Sequence, residues 1–186
     1  PLGDCAKQGS RTKQELIRLV RGAAGYNGSF VFENVSLTIL EGDHTLITGP
    51  NGCGKSTLLQ VITGDHHACY TNDLRVFGMQ RGQGESIWDI KKNMGIISSD
   101  LHRSWRVPGS VKECVISGFF DSIGIYRQYS QLQEQKALKW LDRLGLQKKQ
   151  NHPFASLDYA DQRLVLIARA MIKVPDLLIL DEPTQG

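Results

Sequence analysis

Residues 44–65 read HTLITGPNGCGKSTLLQVITGD. The apolar segment 44–50 predicts a short strand ending in glycine. Residues 51–65 then predict a helix, with Leu58, Leu59 and Ile62 on one face. Between them, GPNGCGKS at 49–56 matches G-x-x-x-x-G-K-[ST] in the strand–turn–helix setting that gives the pattern meaning. Gly52 and Gly54 let successive backbone N–H groups turn inward toward phosphate oxygens. The helix starting near Lys55 aims its positive end at the same charge. The Lys55 ammonium reaches β- and γ-phosphates, and the Ser56 hydroxyl suits Mg²⁺. The candidate nucleotide-binding residues are therefore Gly49, Pro50, Asn51, Gly52, Cys53, Gly54, Lys55, Ser56 and Thr57. Cys53 reads as a small filler within the loop.

A second segment supplies the complementary half of such a site. PDLLILDEP (175–183) is a continuous apolar run ending in two carboxylates. A run without alternation predicts a strand covered on both faces, as in a parallel sheet. Asp181 is placed to partner Mg²⁺, and Glu182 to polarise an attacking water as general base. Lys55 and Asp181 are far apart in sequence. Their convergence on one nucleotide implies a RecA-like α/β core of the P-loop NTPase class.

Composition agrees with this reading. The chain has 186 residues, 40% of them hydrophobic, which suits one globular domain. The net charge of +3 is too small to argue for a nucleic-acid footprint. No apolar run approaches the 18 or so residues of a membrane span, so work at a membrane would need another subunit to cross it. Cys5, Cys53, Cys69 and Cys114 show no zinc spacing and read as reduced thiols of a cytosolic protein.

Residues 1–14 read as a flexible lead-in. Strands are predicted over 15–26, 30–42, 74–78 and 93–99, and helices over 110–120, 130–146 and 161–173. Gly145 is a helix stop. Phe119, Phe120, Ile123 and Tyr126 form an aromatic cluster, read as local core with a partner groove as the alternative. His44, His66, His67, His102 and His152 read as surface or loop residues.

GPNGCGKSTLL and QRLVLIARAMIKVPDLLILDEP, in that order, resemble ATP-binding-cassette (ABC) ATPases over roughly residues 15–186. GDHHACYTNDLRVFG, RGQGESIWDIKK and SGFFDSIGIY resemble the soluble molybdate-type ModF, or photorepair-like, cassettes. The resemblance implies an N-terminal antiparallel β subdomain beside the RecA-like core and an inserted helical subdomain at about 100–160. It implies that Tyr26 stacks on adenine, a role that an aromatic face suits. At the position of the family's water- and Mg²⁺-sensing glutamine stands Ser99, a shorter hydrogen-bonding group.

The family's signature, LSGGQ, falls on Leu157, Asp158, Tyr159, Ala160 and Asp161. In the family this segment opens a helix toward the γ-phosphate held by the opposite cassette, which requires a bare positive helix terminus. Asp158 or Asp161 instead caps the helix. That carboxylate would repel the phosphate, so ATP binding stays intact while signature-assisted hydrolysis weakens. The family's D-loop and switch histidine have no counterpart before Gly186, which suggests a fragment.

The resemblance implies an ATP-hydrolysing subunit of a transport system, of molybdate type, in the cytoplasm or at the inner face of the membrane. Its partners would be ATP, a second cassette and an integral membrane permease, with no nucleic acid. The alternative is a soluble ATP-gated regulatory or repair-type protein with weak turnover.

Overall fold

The computed structural model describes residues 13–98 and 107–181. β1 (Glu15–Tyr26) and β2 (Ser29–Leu40) form a long antiparallel hairpin. Asn27 (φ 51°) and Gly28 (φ 82°) make its turn. Asn-Gly is the pair that tolerates left-handed backbone at both central positions. Leu16 and Ile17 are both buried although adjacent. A register shift between Glu15 and Ile17 breaks the strict alternation and turns both inward. β3 (Asp73–Val76) pairs with the other edge of β1, and β4 (Met79–Gln80) with β3, giving the antiparallel order β2-β1-β3-β4.

α1 (Lys55–Thr63) buries Leu58, Val61 and Ile62 and stops at Gly64, whose φ of 78° ends the helix. After the short α2 (Ile87–Lys91) come β5 (Met94–Ile97) and, some eighty residues on, β6 (Leu177–Leu180). These two pair in parallel from Met94 beside Leu177 to Ile97 beside Leu180. The first core cluster joins both sheets through Ile17, Leu19, Val61, Leu74, Met94 and Ile179.

Three further helices enclose a second cluster: α3 (Val111–Ile116), α4 (Gln131–Arg143) and α5 (Tyr159–Met171). Val115, Ile116, Ala137, Leu141, Val165 and Leu166 are its centre, all essentially inaccessible. Ser110 with Glu113 opens α3, and Ser130 with Gln133 opens α4, each as a reciprocal capping box. Gly145 follows α4 at φ 72°, in the predicted stop role. Phe119, Phe120 and Ile123 pack on this cluster, whereas Tyr126 is 76% exposed. Among the described residues, no helix is long and apolar enough to cross a membrane.

Several expectations change. Residues 43–50 form no strand, and Leu46 is 85% exposed. A strand needs a neighbour to take its backbone hydrogen bonds. Among the described residues none pairs with this segment. Thr45, Leu46 and Ile47 instead face Leu177–Asp181 across a cavity of about 300 Å³. For the same reason β6 is not covered on both faces: Ile179 is buried, while Leu178 and Leu180 are substantially exposed. α5 begins at Tyr159, two residues before the predicted start at 161.

Candidate functional site

Where α1 starts, no side chain among the described residues caps its terminal amides. The residue before α1 is Gly54, which supplies no cap, and the first turn holds no acidic residue. Several N–H groups therefore point out of the helix start, and the helix dipole makes that end positive. Gly52 (φ 80°) and Gly54 (φ 96°) adopt left-handed backbone that side chains disfavour. Gly54 has a second constraint: a Cβ there would lie 2.7 Å from Val31 Cγ1 of β2. The hairpin thus presses on the loop. Val31, Asn51, Gly52 and residues 54–57 line a concavity of about 330 Å³.

The Lys55 ammonium donates to the carbonyl oxygens of Gly49 and Pro50, both at 2.9 Å. An ammonium has three donors, so it can hold the loop and still reach an anion. The Ser56 hydroxyl donates to Asp181 Oδ1 at 3.4 Å, across 125 residues of sequence. Residue 181 follows β6 directly, and its N–H is fixed to the Ile97 carbonyl of β5 at 2.9 Å. The parallel pair thus delivers the carboxylate to the helix start. A hydroxyl and a carboxylate are the hard oxygen donors that Mg²⁺ takes alongside phosphate and water, so these residues fit that ion. Ser99 and Glu182 lie outside the described residues.

Tyr26 ends β1, about half exposed. Its hydroxyl donates to Gln60 Oε1 at 3.1 Å, tying it to the phosphate-loop helix. Its ring meets the His66 ring almost at right angles (centroids 4.9 Å, interplanar angle 82°). Of the two readings for His66, surface or loop, it is the loop that holds: it precedes the 3-10 turn and is only 5% exposed. Its Nδ1 accepts the Ala68 N–H at 3.1 Å, opening the 3-10 turn His67–Tyr70. Burial, then the neighbouring His67, hold its pKa below the ordinary 6.5.

The start of α5 is the opposite of the start of α1. Asp158 Oδ1 accepts the Asp161 N–H at 2.8 Å and caps the helix. Asp161 is not the cap; its carboxylate pairs with Lys149, whose pKa it raises through that hydrogen bond. Leu157 is buried, and Gln162 donates to the Phe154 and Leu157 carbonyls, fixing the entry to the helix. Tyr159 is 46% exposed, with the Arg163 guanidinium 5.5 Å from its ring centre.

Sequence reasoning missed Val31, which limits Gly54, and His66, whose ring packs against Tyr26. The available signal for His66 was the Asp-His-His run just past the helix-ending Gly64.

The family profile described as "ABC transporter" matches residues 32–185. The ABC transporter ATP-binding protein ModF of Escherichia coli is 48% identical over 182 residues, 97% of this chain and 37% of that protein. An ABC transporter ATP-binding protein of Schizosaccharomyces pombe is 32% identical over 87% of this chain and 33% of its own length. The chain thus spans about a third of the length of these curated relatives. A nucleotide-free ATP-binding cassette from an ABC transporter superposes with a TM-score of 0.72 at 24% identity, covering 92% of this chain and 70% of that one.

Proposed function

Because the chain belongs to the ABC transporter family, as an ABC ATPase of ModF type, we propose that it binds Mg-ATP between the 49–57 loop and Asp181 and hydrolyses it within a transport system. The observation that carries this reading is the uncapped start of α1 with Lys55 at its mouth and Ser56 hydrogen-bonded to Asp181. The loop amides and Lys55 bind the phosphates, and Tyr26 stacks on the base. Ser56 and Asp181 hold Mg²⁺, which neutralises phosphate charge. Glu182 polarises the attacking water, and Ser99 stands at the sensing position.

On this reading a second cassette completes the site through residues 157–161, and an integral membrane permease carries the cargo. The protein then works in the cytoplasm or at the inner face of the membrane. Residues 100–160 act as a helical subdomain toward that partner, and residues 1–14 as a lead-in. On this reading the cargo is an oxyanion of molybdate type, as the resemblance to ModF-type cassettes implies.

A second reading rests on Asp158. A carboxylate already caps the signature helix, so the cassette acts as an ATP-gated switch, associating with its partner on ATP and turning over slowly.

Titration calorimetry with Mg-ATP tests the common core of both. We expect heat of binding for the native chain and at least ten-fold weaker binding for Lys55→Ala, since a charge-assisted contact is worth about 1.5–3 kcal/mol. No binding by the native chain, or none of that loss in the variant, removes the proposal.

A further inference from the structure

We infer that His66 is a positioning residue for the nucleotide base, holding Tyr26 at a fixed place relative to the phosphate loop. This inference rests on the proposed stacking role of Tyr26.

Three connections form a closed loop. The Tyr26 hydroxyl donates to the Gln60 side chain at 3.1 Å. The His66 N–H donates to the Gln60 backbone carbonyl at 3.1 Å. The His66 ring packs against the Tyr26 ring. Gln60 lies on α1, five residues after Lys55. The base platform and the phosphate-binding ammonium are therefore referenced to one short helix.

A strand-end tyrosine would otherwise sample several side-chain rotamers. Here its hydroxyl is tethered, and its ring is met by a buried ring that cannot move away. His67 stacks on His66 (centroids 4.3 Å, interplanar angle 28°). The Ala68 N–H occupies His66 Nδ1, which leaves the proton of the neutral ring on Nε2. That Nε2 is fully buried and makes no hydrogen bond among the described residues. His66 thus backs the ring of the residue that ends β1. A cap alone needs none of this, because asparagine caps as well as any residue and exposes less ring.

The experiment separates cap from brace, and base from phosphate. Calorimetric affinities for Mg-ATP and for magnesium tripolyphosphate, which has no base, are compared in the native chain, Tyr26→Ala, His66→Asn and His66→Phe. Asparagine keeps the cap and removes the ring; phenylalanine keeps a ring and removes the cap. We expect His66→Asn to bind Mg-ATP about five-fold more weakly, in line with the loss of one aromatic pair, with tripolyphosphate affinity unchanged. We expect His66→Phe to recover most of the loss. If Tyr26→Ala leaves Mg-ATP affinity unaltered, the stacking role itself fails and this inference with it. If Tyr26→Ala weakens Mg-ATP but His66→Asn does not, only the bracing role of His66 is overturned. An equal loss of both ligands in His66→Asn also overturns it, since that marks a general effect on the fold.

Discussion

Gly52 and Gly54 share a motif but not a constraint. Gly52 needs only its left-handed backbone, because nothing lies within 4 Å of a Cβ there. Gly54 needs that backbone and the space next to Val31. Gly52→Ala should cost about 1 kcal/mol, and Gly54→Ala about 2–3 kcal/mol once Val31 is displaced. Urea unfolding checks the difference, and adding Val31→Ala should recover part of the Gly54→Ala loss but none of the Gly52→Ala loss. At this scale the sequence was most informative. The backbone shape of the 49–57 loop is legible because it is local: the left-handed glycines and the uncapped helix start follow from the residues themselves. The burial of His66 was not legible, since it depends on β1 and α1 meeting.

The helices α1 and α5 differ in who occupies their positive ends. α1 leaves its terminal amides unclaimed, whereas α5 satisfies one with Asp158. Asp158→Ser keeps an oxygen acceptor and should change stability by under about 0.5 kcal/mol. Combined with Tyr159→Gly and Ala160→Gly it also clears charge and bulk from the helix start. The triple variant should raise kcat about ten-fold in a steady-state phosphate-release assay, less than the roughly hundred-fold or more that one fully preorganised anion-binding donor is worth. An unchanged kcat would argue that the aspartate cap does not limit turnover. The two glycines should also lower stability by about 1 kcal/mol each. The cap was foreseeable from residue type, but which of two aspartates provides it was not. Lys149 decided that by engaging Asp161. Element type was legible for every long periodic segment. The exception, residues 44–50, failed because apolar content predicts burial, while strand formation also needs a hydrogen-bonding neighbour.

Across the whole molecule, the core around the two sheets and the core among α3, α4 and α5 are separate clusters. Lys173, just past α5, reaches both sides. Its ammonium donates to the Lys91 carbonyl at 2.6 Å and to Asp121 Oδ1 at 2.5 Å. The Lys173 and Asp121 side chains are 11% and 24% exposed. Burial lowers the pKa of Lys173 even though Asp121 opposes the shift. Lys173→Met would leave that carboxylate and carbonyl unmatched. The loss should be about 2 kcal/mol, between the values for exposed and fully buried pairs, read from the shift in urea midpoint. Such couplings escape sequence reading, because Lys91, Asp121 and Lys173 belong to three distant segments.

The ammonium is a clasp with two short jaws, one on backbone and one on side chain. Neither jaw can stretch by an ångström and keep its bond. A rotation of the helical cluster against the sheets larger than the flexible lysine stem can follow must therefore release one of them. Motion between the halves would have to break this pair of bonds together with the close seating of β5 on α5, where a Cβ at Gly95 would lie 2.7 Å from the Ala170 carbonyl.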